Sequence, residues 1–183
     1  MLYIIRHGKT DWNAIHKLQG RTDIPLNEEG RAQAKAAREM YKEISFDICY
    51  SSPLQRALET AEIFLEGRNV PIITDDRLKE MCFGPYEGFE NTFEKPDCPI
   101  YPLFKDPINY VAPEGAESIE ALMGRTKEFI DKVLMPQLDA GNTVLIVGHG
   151  AMNCSLIDNL KGIEKENFWQ EMTGNCELKK IEI

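Results

Sequence analysis

Two unbroken apolar runs, residues 2–5 and 144–147, constrain this chain more than any other feature of its 183 residues. Each is too short for a helix and offers no polar position to water. Such a run reads as a strand covered on both faces, the pattern of a parallel sheet held between helices. Each run also leads into a histidine followed by glycine, in Arg6-His7-Gly8 and in Gly148-His149-Gly150. In open parallel sheets ligands bind beyond the carboxyl ends of the strands, so both histidines are expected at one sheet edge.

The stretches between these runs alternate between helical and extended patterns. Asn27 precedes a helix expected over residues 28–44, with Ala32, Ala37, Met40, Tyr41 and Ile44 at helical spacing. Its alanines predict close packing on the sheet. A second strand is expected over residues 46–50, followed by a helix with Ser52 as its cap and Pro53 at its first position. A third strand falls at residues 70–74. Ser118 caps a helix whose stripe runs through Ile119, Leu122, Met123, Thr126, Phe129, Ile130, Val133 and Leu134, until Gly141-Asn142 ends it. A helix over residues 151–160, a turn near Phe168-Trp169 and a closing edge strand over residues 176–183 complete the order. The alternation predicts an α/β fold, a three-layer α/β/α sandwich on a mostly parallel sheet, and the length suits one domain.

Residues 81–117 break the pattern, holding six of the ten prolines and seven of the sixteen aromatics with no sustained period. A long irregular segment inside a compact domain points to a substrate-covering lid. Its seven acids against Lys95 and Lys105 suit a weakly anionic substrate.

Charge narrows the partners. With 21 basic and 30 acidic side chains the net charge is −9, a field that repels nucleic acid and anionic lipid. No apolar run approaches the roughly 18 residues of a membrane span. Met1-Leu2-Tyr3-Ile4-Ile5 enters structure at once and leaves no room for a leader. Five cysteines, an odd number without a C-x-x-C pair, predict neither a disulfide framework nor a zinc or redox site, and fit a reducing cytoplasm.

Against this acidic background a few ordered motifs stand out. Arg6-His7-Gly8-Lys9-Thr10 with Trp12-Asn13 is followed by Asp23-Ile24-Pro25-Leu26 and Gly30. Next come Ser51-Ser52-Pro53-Leu54-Gln55-Arg56-Ala57 with Thr60-Ala61, then Glu80 with Phe83-Gly84 and Tyr86-Glu87-Gly88, and last Gly148-His149-Gly150. In this order and spacing the motifs resemble those of the histidine phosphatase superfamily, which includes the cofactor-dependent phosphoglycerate mutases. Lys9 stands where that family often has an acidic or amide residue, and Asn153 lies near where relatives often have arginine.

The residue types suit phosphoryl transfer, which asks a protein mainly for positioning and for neutralising phosphate oxygens. Arg6 and Arg56 carry planar forks that can grip those oxygens, and the start of the helix bearing Arg56 favours anions. The resemblance implies His7 as nucleophile, which must be neutral at the attacking nitrogen; arginines beside it favour that state. It implies His149 as a phosphate donor, with Asn13 adding another and Gly8 and Gly150 letting the backbone approach. Glu80 is the expected proton donor to the leaving group and then base for water, since a phosphate dianion beside it favours the acid form. His16 is given no role, and Trp12 is read as packing.

The implied reaction is hydrolysis of a small-molecule phosphomonoester with no cofactor or metal; candidates are α-ribazole phosphate, sugar phosphates or a broad set. A phosphoglycerate mutase shares the same core and is the nearest rival. A metal-dependent hydrolase on His7, His149 and Glu80 would place its cation beside two arginines, with no close ligand pair. A non-catalytic phosphate-binding protein has no need of the full set of reacting groups.

Overall fold

A computed structural model of the chain describes residues 1–182. Five strands form one sheet: β1 (Leu2–Arg6), β2 (Ile48–Ser51), β3 (Ile72–Thr74), β4 (Val144–Gly148) and β5 (Leu178–Ile181). Their order across the sheet is β3-β2-β4-β1-β5. All neighbours are parallel except β5, which runs antiparallel to β1. The two apolar runs are therefore adjacent inner strands, paired from Leu2 opposite Val144 to Arg6 opposite Gly148.

Alternation along these strands divides the core in two. Ile4, Val144 and Ile146 face one layer, with Phe129 and Leu156, while Ile5, Leu145 and Val147 face the other. The second layer is α2 (Glu28–Met40) and α3 (Gln55–Leu65), which follow the four-residue helix α1 (Asp11–Ala14) in the chain. Ala34, Ala37, Ala57 and Ala61 are all buried there, and such small side chains let a helix lie close to a sheet. The first layer holds α5 (Ile119–Phe129) and α7 (Gly150–Lys161), which succeed the single turn of α4 (Tyr101–Lys105). The result is the expected three-layer sandwich.

Several boundaries differ from the pattern reading, each for a local reason. The helix expected to 44 ends at Met40, with Tyr41 as its C-cap. Strands expected at residues 46–50 and 70–74 are shorter, Ile48–Ser51 and Ile72–Thr74. Helix α3 begins at Gln55, not at Pro53, and its N-cap residue Leu54 has no side-chain bond to give. Asp23 supplies one from 32 residues away, Oδ1 accepting from the Gln55 N–H at 2.8 Å, while Ser52 accepts only from the Leu54 N–H. Helix α7 starts one residue early, at Gly150, with His149 itself in the N-cap position. The closing strand is Leu178–Ile181; Ile183 of the expected strand lies outside the described residues.

The Ser118 helix runs on through a π-helical turn, Ile130–Leu134, into α6 (Met135–Asp139). Pro136 explains the turn: its ring clashes with a carbonyl four residues back and it has no N–H to donate. Widening the preceding turn, with the Met135 N–H reaching the Ile130 carbonyl, absorbs the misfit without breaking the helix.

Residues 81–117 are less irregular than their composition implies. They hold α4 and three single 3-10 turns, Gly84–Tyr86, Thr92–Glu94 and Pro107–Asn109. Met81, Phe83, Ile100, Leu103 and Tyr110 anchor them in the α5–α7 layer.

Candidate active site

The register of β1 against β4 builds the centre of the site. The His7 N–H donates to the Gly148 carbonyl at 3.0 Å, continuing the ladder one step past the end of β1. His7 and His149 thus leave the sheet side by side, their ring centroids 5.1 Å apart and tilted by 58°. The sequence reading placed both at one edge, and they meet there. They are only 3% and 0% exposed.

The state of His7 follows from one contact. Its Nδ1 lies 2.7 Å from the Gly8 carbonyl oxygen, which can only accept, so Nδ1 carries the hydrogen. The neutral ring therefore presents a bare lone pair at Nε2. Burial, then the charges of Arg56 and Arg6, holds the His7 pKa well below the ordinary 6.5. His149 is held well below that value by burial, then Arg56, His7, Arg6 and Arg125. Neither nitrogen of its ring has a hydrogen-bond partner among the described residues.

This sets a pH dependence with a definite sign. Because His7 stays neutral below its ordinary range, the acid limb of kcat/KM is expected below about pH 6.5. Between that pH and the lower folded values, the native state binds fewer protons than the unfolded chain, so stability falls on acidification. Two such histidines give a slope of up to about 2.7 kcal/mol per pH unit. Asp158, its buried carboxyl pushed up to about 7 by burial and by Glu171, acts in the opposite sense and removes about half of that slope. Urea unfolding between pH 5 and 6.5 measures the net; a flat or inverted profile would show that the histidines are not held neutral.

Arg6 sits at the end of β1, its Nη1 donating to the Thr173 carbonyl at 3.0 Å while Nε has no partner among the described residues. Arg56, in the first turn of α3, is wholly buried. Its Nη1 donates to the Thr22 carbonyl at 3.0 Å and its Nη2 to the Gly20 carbonyl at 2.6 Å. With its amide oriented by its neighbours, Gln19 accepts from Arg56 Nε and Nη1 at 3.2 Å each. Arg56 is close enough to depress both histidines, yet most of its five N–H groups are spent inside the protein.

Glu80 is 6% exposed and packs against the start of α7. Its Oε1 accepts from the N–H groups of Met81 and Met152 at 2.8 and 3.0 Å, and its Oε2 from Ala151 at 3.2 Å. A helix N-terminus is a natural seat for a carboxylate. Asn13 closes a capping box on α1 with Thr10, its Oδ1 accepting from the Thr10 N–H at 3.1 Å. Gly8 serves packing more than ligand approach: a Cβ there would stand 2.5 Å from the Gly30 carbonyl at the start of α2. A Cβ on Gly150 would meet only the flexible end of Met172, at 3.0 Å, and Glu80 Oε2, at 3.6 Å.

Arg6, His7, Asn13, Glu80 and Gly150 line one open cavity of about 390 Å³. Arg56 and His149 lie behind its wall. Sequence reasoning missed much of the rest of the lining: Lys17, Gln19, Phe93, Phe104, Trp169, Met172 and Asn175, along with His16, which had been given no role. Phe104 stacks on Trp169 at 5.4 Å and Phe93 meets Phe104 edge-on at 6.4 Å, forming an aromatic wall. Lys9 lines the cavity too, with its Nζ 2.6 Å from Glu29. Trp12 packs over Gly88, as expected of a packing residue.

None of the acidic side chains of residues 81–117 lines this cavity. The segment contributes Phe83, Thr92, Phe93 and Phe104 to the wall and none of its acids. Glu87 and Glu117 are tied to backbone and arginines beneath, and Glu90 lies 4.0 Å from Lys17. The acidity of residues 81–117 therefore gives no ground for a weakly anionic substrate. Among the described residues no group of three or more His, Cys, Asp or Glu is arranged to hold a metal ion.

A buried pair of neutral histidines flanked by two arginines, each at the end of an inner parallel strand, defines a class of phosphoryl-transfer protein. The family model of the histidine phosphatase superfamily (branch 1) matches residues 2–183, and the chain belongs to that superfamily. It is 40% identical over 183 residues to the uncharacterized phosphatase PhoE of Bacillus subtilis (strain 168), covering 98% of this chain and 86% of that protein. It is 32% identical over 155 residues to a 2,3-bisphosphoglycerate-dependent phosphoglycerate mutase of Gloeobacter violaceus, covering 82% of this chain and 70% of the mutase. Among solved structures, the mycobacterial glucosyl-3-phosphoglycerate phosphatase bound to VO3 superposes with a TM-score of 0.85 at 29% identity, covering 97% of this chain and 90% of that one.

Proposed function

We propose that this chain hydrolyses small phosphomonoesters in two steps through a phosphohistidine on His7. The observation that carries the reading is the bare, neutral Nε2 of His7, set 5.1 Å ring to ring from His149 at the floor of a cation-bearing cavity. In the first step Nε2 attacks phosphorus, the ester P–O bond breaks, and Glu80 gives its proton to the leaving alkoxide. In the second, Glu80 takes a proton from water, whose oxygen displaces His7 and releases inorganic phosphate. Arg6, through its free N–H groups, and Asn13 hold the phosphate oxygens. Arg56 and His149 supply charge and a donor from behind, where preorganised groups stabilise the transferring phosphoryl group most effectively. Gly150 opens the helix that seats Glu80. We read residues 81–117 as a lid on a single domain spanning residues 1–183, its aromatic wall holding the alcohol portion of the substrate.

Similarity to a mutase keeps one rival in view, since transfer back to an alcohol instead of water needs the same core. Phosphate release in excess EDTA separates them, using p-nitrophenyl phosphate, sugar phosphates, phosphoserine, α-ribazole phosphate and 3-phosphoglycerate. Hydrolysis of several esters is the expected result, and the preferred ester identifies the substrate. Isomerisation of 3-phosphoglycerate with 2,3-bisphosphoglycerate present, and no hydrolysis, would make the chain a mutase.

A further inference from the structure

We infer that Glu87 is a positioning residue for Arg56, acting through the peptide units of residues 20–22. The inference rests on the role proposed above for Arg56, stabilising the transferring phosphoryl group by its charge. Glu87 belongs to the segment read as the lid, does not line the catalytic cavity and touches no reacting group.

The three peptides lie between two charges. On one side the Glu87 carboxylate accepts from the Arg21 N–H at 2.9 Å and the Thr22 N–H at 2.7 Å, and also from the Thr22 hydroxyl. A further bond from the Phe83 N–H, at 3.1 Å, fixes the carboxylate to its own turn. On the other side the carbonyls of Gly20 and Thr22 take the Arg56 fork at 2.6 and 3.0 Å. Every one of these bonds has an ionised partner, and such bonds are short and strongly directional. Peptides polarised at both ends also reinforce one another in a buried setting. Gly20 is needed for the approach, because a Cβ there would collide with Glu87 Oε1.

This arrangement explains how a wholly buried guanidinium keeps both its place and its charge. Burial lowers the Arg56 pKa to about 10, and the carboxylates of Glu80, Asp23 and Glu87 oppose the fall. Arg56 thus stays cationic near neutral pH, aimed by a loop that Glu87 shapes. The lid and the phosphate clamp are one hydrogen-bonded unit.

Glu87→Gln tests this, because it keeps the shape but removes the charge and turns an amide N–H toward the N–H of either Arg21 or Thr22. Steady-state kinetics, inhibition by inorganic phosphate and thermal melting are measured for Glu87→Gln, Arg56→Lys and the double variant. Expected are a fall in kcat/KM on the order of 10-fold to 100-fold and a weakening of phosphate inhibition on the order of 10-fold, with the double variant scarcely worse than Arg56→Lys alone. Glu87→Asp, which keeps the charge, recovers part of the loss. Thr22→Val removes only the hydroxyl bond and gives a smaller change in the same direction, so the test survives poor folding of Glu87→Gln. Additive losses, or a lower melting temperature with unchanged phosphate inhibition, would overturn the inference. Wild-type kinetics in Arg56→Lys would instead overturn the role of Arg56, whether or not the chain proves to be a phosphatase.

Discussion

His7→Ala is expected to lower turnover by on the order of 10⁴-fold or more while leaving the fold intact. The size follows from the chemistry: the substitution removes the nitrogen proposed to attack phosphorus, so the covalent route closes. The tolerance follows from the structure. The His7 ring makes a single hydrogen bond, to the carbonyl of its neighbour Gly8. Its backbone N–H, which continues the β1–β4 ladder, survives the substitution. Rapid quench with a radiolabelled ester should trap an acid-labile phosphoenzyme in the parent and none in the variant, with matching circular dichroism. Retention of more than about a hundredth of the parent rate would mean that water attacks phosphorus directly.

Glu80→Gln is expected to have the second largest effect, and one that depends on the leaving group. Alkyl phosphates should lose about 10²-fold to 10⁴-fold, the usual worth of a positioned acid. Aryl phosphates with acidic phenols, which leave without a proton, should lose far less in the first step. The contrast matters because the carboxylate also holds the start of α7, through the Ala151 and Met152 N–H groups. A glutamine sets an amide N–H against one of those donors and disturbs the helix start whatever the substrate. Equal losses for both ester types would assign Glu80 to that structural role and remove it from proton transfer.

The layered fold was legible because its signals are local. Apolar runs long enough only for strands, the Asn27 and Ser118 caps and the alanine spacing of α2 are each decided by neighbours within a few residues. The pairing of the two histidines was legible for a related reason, since strand ends in a parallel sheet share one edge. What escaped depends on contacts far apart in sequence. The cap of α3 comes from Asp23, across a loop, and no local pattern distinguishes it from Ser52. The aromatic wall joins Phe93 and Phe104 to Trp169, residues from two unrelated stretches. The acids of residues 81–117 were counted correctly, yet a count carries no placement, and none of these side chains lines the cavity. The π turn before Pro136 is a partial exception: the proline was a visible warning inside an otherwise unbroken stripe.

His7 and His149 hang from β1 and β4, two of the three strands that have paired neighbours on both sides. An amide proton in the middle of such a strand reaches water only when the sheet itself comes apart. The turns over residues 81–117, held mostly by single-turn hydrogen bonds, can breathe at far lower cost. Small motions in those turns can therefore occur many times for every event that disturbs the spacing of the two histidines. For this chain, losing the alignment of His7 with His149 and losing the native state are nearly the same event.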